Sequence, residues 1–133
     1  MDSTDEEILE ILEEDGRISF TELAEKVDVS EGTVRNRIEK MQESGVIEKF
    51  TVETSREGSR AVVMVELETG EDTEEVLEEF PEGMTILEVA GGYDLVLRIE
   101  RRNNREINSL LDSVRSISGV EGTETYMVLN QRS

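Results

Sequence analysis

The sequence predicts an α+β chain of two small modules, three helices followed by a β-α-β-β-α-β unit. Three observations carry this. Apolar residues recur at helical spacing from residue 8 to residue 41, and beyond residue 46 the period becomes strand-like. Between the two rhythms lies the polar run TSREGS, residues 54–59, which reads as a linker between modules at 1–53 and 60–133.

In the first module, TDEEILEILEE (4–14) places Ile8, Leu9, Ile11 and Leu12 on one side of a helix. Thr4 is its expected N-cap and Asp15-Gly16 its stop. A second helix opens at SFTE, where Ser19 caps and Glu22 can reach back to complete a capping box. Leu23, Ala24 and Val27 form its buried stripe. A turn at Asp28-Val29 leads to Ser30, the cap of a third helix that runs to Ser44 and stops at Gly45. Val34, Ile38 and Met41 are its inward stripe. VIEKFTVE (46–53) alternates apolar and polar residues and reads as a strand. Two helices across a tight turn with a strand behind them make a winged or near-winged helix-turn-helix.

The second module begins with a strand at 60–68, RAVVMVELE, and a short helix at 72–80 with Asp72 and Glu75 as its capping pair. Pro81 closes that helix. MTILEVA (84–90) and YDLVLRIE (93–100) read as two strands joined by a tight hairpin at Gly91-Gly92. Asn104 is the expected cap of a helix whose apolar face is Ile107, Leu110, Leu111, Val114 and Ile117. Gly119 ends it, and TETYMVL (123–129) is the last strand. This order predicts a four-stranded antiparallel sheet with both helices on one face, a ferredoxin-like arrangement.

Composition narrows the chemistry. With 133 residues, two modules of this size each bury little apolar surface, which favours association through the second. The chain has no Cys and no His, which removes thiol nucleophiles, disulfides and the commonest acid-base group and metal ligand. Neither catalytic nor metal-ligating residues are expected, and no cofactor. No apolar run approaches the roughly 20 residues that span a bilayer, and MDSTDEE is unlike a signal peptide, so a cytoplasmic protein without membrane contact is expected. The formal net charge is -19, from 33 acids against 11 arginines and 3 lysines. Acids spread along the whole chain fit either a disordered, self-repelling polymer or a folded protein adapted to molar salt. The clean periodicities favour the second.

Against that background VSEGTVRNRIEKM (29–41) stands out, with three bases and two acids. Opposite the inward stripe of the third helix lie Gly32, Thr33, Asn36 and Lys40, with Arg35 and Arg37 on the flanks. Thr33 and Asn36 can read base edges, Gly32 permits close approach, and the arginines can hold phosphates on either side of a major groove. The plainer alternative is a solvated amphipathic helix whose bases pair with Glu31, Glu39 and Glu43.

The stretch DEEILEILEEDGRISFTELAEKVDVSEGTVRNRIEKMQESGVIEKF, with AGGYDLVLRIE and SISGVEGTETYMVL, resembles the Lrp/AsnC family, in a halophilic archaeal form. These are the feast-or-famine transcription regulators of bacteria and archaea. The resemblance implies that Ser30, Gly32, Thr33, Arg35, Asn36 and Arg37 belong to the recognition helix. It implies too that Gly91, Gly92, Tyr93 and Asp94 form an effector loop, with Thr125 and Tyr126 in the last strand contributing to its pocket. The second module would dimerise through its sheet, dimers would assemble as far as octamers, and effectors, typically amino acids, would bind between dimers. The Asp94 carboxylate could hold an amino acid's ammonium group. The plain alternative makes Gly91-Gly92 a hairpin turn with Tyr93 and Asp94 as its flank.

The implied function is sequence-specific binding of a pseudo-palindromic duplex by a homodimer, under control of an amino acid or other small metabolite. Two alternatives stand beside it. One is a metabolite-sensing partner that joins other regulators and binds DNA poorly itself. The other is a sirohaem decarboxylase on the same fold, which the absence of histidine disfavours.

Overall fold

The computed structural model describes residues 1–132. The chain divides into two compact units, Met1–Ser55 and Arg56–Ser133.

The first unit holds three helices: α1 (Ser3–Glu14), α2 (Phe20–Val27) and α3 (Glu31–Glu43). Each contributes one fully buried residue to a common core, Ile8, Leu23 and Val34, around which Ile18, Ala24, Val27, Ile38 and Met41 close. Burying each large aliphatic side chain contributes roughly 1.5–3 kcal/mol. Asp28, left-handed at φ 56, makes the turn between α2 and α3, and the Val29 N–H donates to the Ala24 carbonyl at 3.1 Å. An aspartate tolerates this conformation better than a β-branched residue would.

Two expectations fail in this unit. The cap of α1 is Asp2 rather than Thr4. The Asp2 carboxylate accepts from the Asp5 N–H at 2.9 Å while Asp5 reaches back to the Asp2 N–H at 3.3 Å, a reciprocal box that places the cap two residues earlier. Residues 46–53 form no strand. Alternation sets the faces of a strand, but the backbone still needs a partner ladder, and among the described residues the first unit has no other strand. Ile47 packs against the core and its N–H donates to the Met41 carbonyl at 3.0 Å; Phe50 and Val52 stay exposed.

The second unit runs β1 (Ser59–Leu67), α4 (Thr73–Glu78), β2 (Thr85–Glu88), β3 (Leu95–Arg101), α5 (Asn104–Arg115) and β4 (Val120–Met127). The strands are ordered β2-β3-β1-β4 and every neighbouring pair is antiparallel, the ferredoxin-like topology that the element order predicts. Ala61, Val63, Val65 and Leu67 of β1 alternate inward with Leu95, Leu97 and Ile99 of β3. They meet Ile107, Leu111 and Val114 of α5, with Val76 and Phe80 from the α4 region. Val62, Met64 and Glu66 lie on the other face of the sheet.

Here the α4 cap is Asp72 as expected but with a different partner, and the α5 cap moves by one residue. Asp72 accepts from the Glu74 N–H rather than pairing with Glu75, and α5 is capped by Asn103 rather than Asn104. The expected tight hairpin is a six-residue loop, because the β2–β3 ladder ends at Glu88 and Leu95. The cause is Asp94. Its N–H donates to the Val65 carbonyl at 2.9 Å, and its carboxylate accepts from the Leu67 N–H at 2.8 Å. Both bonds tie the loop to the end of β1, where a register shift against β4 interrupts the regular ladder.

Candidate nucleic-acid interface and effector loop

The side chains of α3 are placed by its buried stripe. With Val34, Ile38 and Met41 inward, Gly32, Asn36 and Lys40 are exposed and Thr33 is half-buried. The Ser30 hydroxyl accepts from the Thr33 N–H at 3.1 Å and lies 2.8 Å from the Thr33 hydroxyl, so both are tied into the cap. A Cβ added at Gly32 would meet open space, which leaves room for a ligand to approach the backbone.

The two flanking arginines differ. Arg35 is exposed, 3.5 Å from Glu31 one helical turn earlier, with its guanidinium 4.9 Å above the Phe20 ring of α2. Arg37 is bound to α1: its guanidinium donates to Asp2 at 2.5 Å and to the buried Asp5 at 3.4 Å. The Asp5 N–H and then Arg37 hold the Asp2 carboxyl below its ordinary range, and Asp2 raises Arg37 in return. The α1 cap and the Arg37 flank of α3 are therefore one charged cluster. Its signal in the sequence was Asp2 and Asp5 at cap spacing, which is easily overlooked among so many acids.

In the second unit the expected loop residues separate. Gly91 and Gly92 have open space around them and ordinary backbone angles. Tyr93 donates its hydroxyl to one Glu124 oxygen, and Tyr126 donates to the other at 2.6 Å. Hydrogen bonding to that carboxylate raises both tyrosines, and Glu124 is lowered by Tyr126 and Tyr93 in turn. Asp94 already accepts the Leu67 N–H, so that oxygen serves the fold. Thr125 pairs with Val63 and so shares the helix-covered face, where its hydroxyl is buried without a partner. Glu124 and Tyr126 pair with Met64 and Val62 on the opposite face. Thr125 and Tyr126 cannot both line one pocket on the same face of β4. Glu124 is the residue that the sequence reading missed. Period-two alternation could have found it, two positions before Tyr126 on the same face.

A shallow cleft in the first unit is lined by Leu9, Leu12, Val46 and Phe50, and none of the candidate residues belongs to it. Among the described residues no group of three or more acidic side chains is placed to hold a metal ion, and no helix is long and apolar enough to cross a membrane.

Residues 1–48 match the winged helix-turn-helix DNA-binding family, and residues 60–133 match the Lrp/AsnC ligand binding domain. The HTH-type transcriptional regulator FL11 of Pyrococcus furiosus is 37% identical over 135 residues, covering 97% of this chain and 89% of its own. The HTH-type transcriptional regulator LysM of Saccharolobus solfataricus is 36% identical over 133 residues, covering 97% and 94%. Among solved structures, a transcriptional regulator of Neisseria meningitidis in complex with L-Met superposes with a TM-score of 0.81 at 25% identity, over 100% of this chain and 92% of that one. Matched in both halves and along nearly its whole length, the chain belongs to the Lrp/AsnC family of helix-turn-helix transcription regulators, which are DNA-binding proteins and not enzymes.

Proposed function

We propose that residues 1–53 read duplex DNA through α3, and that residues 60–133 dimerise and answer a small effector, an amino acid or related metabolite. The observation that carries the DNA half is the outward face of α3. Asn36 and Lys40 are exposed beside an open Gly32, directly opposite the stripe that fixes the helix in the core. Asn36 can accept and donate to an adenine edge, Lys40 suits a phosphate, Arg35 suits a phosphate or a guanine edge, and Thr33 suits a base edge or methyl group. Two such helices in a two-fold homodimer match a pseudo-palindrome. Arg37 adds a phosphate contact only by leaving Asp2 and Asp5.

The effector half rests on the loop 91–94 beside Glu124 and Tyr126, and on the L-methionine complex of the Neisseria regulator. An effector acts by altering how dimers assemble, up to octamers, which couples the two sites without contact between ligand and α3. The setting is a cytoplasm rich in salt, where carboxylates hold hydrated cations.

One observation favours the second reading, a sensing partner with weak DNA binding. Residues 1–53 carry 16 acids and 6 bases, and one of those bases, Arg37, is engaged by acids of its own chain. Fluorescence anisotropy on the protein's own promoter, with an unrelated duplex as control, separates the two. The regulator reading expects a sequence preference that Asn36→Ala reduces by about 1–3 kcal/mol. Equal binding of both duplexes by the intact protein would leave the sensing partner.

A further inference from the structure

Glu31 has no role in the reading above, although it occupies the first turn of α3, immediately after the Ser30 cap. Its carboxylate is shared between two helices. One oxygen faces the Arg35 guanidinium at 3.5 Å, and the other accepts the Thr21 hydroxyl of α2 at 3.2 Å. Arg35 in turn lies over the Phe20 ring, one residue before Thr21. Four side chains thus fix one another where the first turns of α2 and α3 meet.

Stability is a weak reason for this arrangement. The Glu31–Arg35 pair is about half exposed, and such i, i+4 pairs contribute little. Phosphate binding is a reason against it, since a carboxylate there repels the DNA backbone. Base reading is the remaining use, because the first residues of a recognition helix are those that reach base edges. A carboxylate accepts from the cytosine N4 amino group, and an arginine donates two bonds to guanine O6 and N7. Those two partners face each other in one base pair. Adenine N6 could also donate to Glu31, but thymine opposite offers Arg35 a single acceptor where guanine offers two.

We propose that Glu31 and Arg35 together read one C·G pair in each half-site, with Thr21 and Phe20 as positioning residues that hold them at the required angle. The proposal rests on α3 being the recognition helix. At a matched site Glu31 exchanges its internal partners for cytosine. Opposite guanine or thymine it faces acceptors and disfavours binding, and opposite adenine the pair keeps only part of its contacts. Glu31 is therefore a specificity-determining residue that lowers non-specific affinity.

The test is selection of binding sites from randomised duplexes by the full-length protein, its Glu31→Gln and Thr21→Val variants, each checked for an unchanged melting temperature. The wild type is expected to select one invariant C·G pair per half-site. Glu31→Gln should relax that column alone, by about tenfold or more, and bind unrelated duplex as well or better. Thr21→Val should relax the same column less. A Glu31→Gln consensus identical to the wild type overturns the proposal, as does a uniform loss of affinity at every position. A wild type that selects no consensus at all overturns the recognition-helix reading itself, and this proposal with it.

Discussion

Arg35 and Arg37 are two residues apart on one helix, and the packing gives them different tasks. Arg37 faces α1 and is held by Asp2 and Asp5, so its charge is spent inside the protein. Arg35 faces α2 and keeps an exposed guanidinium over Phe20. A planar, stacked cation loses less freedom when it binds than a free one. A comparable distinction holds at the loop 91–94. The chain has only two tyrosines, Tyr93 and Tyr126, and both donate to Glu124. The hydrogen bond to Glu124 favours the protonated phenol, and ionising either would set a phenolate against that carboxylate, so both are held above the ordinary 10.0. An ultraviolet titration therefore reads this cluster directly. Both tyrosines should ionise at lower pH in Glu124→Gln than in the wild type, and superimposable titration curves would show that the cluster does not form.

At the scale of elements, Gly58 and Gly91 make opposite demands. A Cβ at Gly58 would sit 2.8 Å from the Arg101 carbonyl oxygen across the β1–β3 ladder, whereas at Gly91 it would meet open space. Gly58→Ala should cost about 1–3 kcal/mol by overpacking, while Gly91→Ala should stay within about 0.5 kcal/mol. Chemical denaturation distinguishes them, and a costly Gly91→Ala would mean that the loop is a strained turn after all. That loop also shows where the sequence stops being legible. Helical stripes such as Leu23, Ala24 and Val27 were readable because burial and period coincide in them. Strands β1 and β3 were readable for the same reason, and with them the topology. Caps slipped by one or two residues because acids and amides stand side by side, as at Asp2 and Thr4 or Asn103 and Asn104. Residues 46–53 alternate like a strand and lack a ladder, because pairing is a property of the partner. The loop 89–94 was beyond reach since its shape depends on Asp94 bonding a segment 27 residues earlier. In the candidate sites, sequence identified the outward face of α3 but not the carboxylates Glu31 and Glu124, which look like any of the 33 acids until their partners are known.

At the scale of the whole molecule, the net charge of -19 opposes its partner, since duplex DNA is itself a dense polyanion. Ordinary DNA-binding proteins gain affinity by releasing counterions, and binding falls with a slope of about -0.9 in log–log form per phosphate neutralised. Here the exposed cations of α3 are few and acids surround them. We propose that hydrated cations held by those acids bridge to phosphates at molar ionic strength, where screening acts over only about 3 Å. Repulsion between the two polyanions is then suppressed, and the short-range contacts of α3 decide where the protein binds. The most direct test is fluorescence anisotropy of the protein on its own promoter duplex across a KCl series reaching molar concentrations. Sequence-preferring affinity is expected to be nearly flat or to rise with KCl. A conventional negative slope of several units would contradict that proposal.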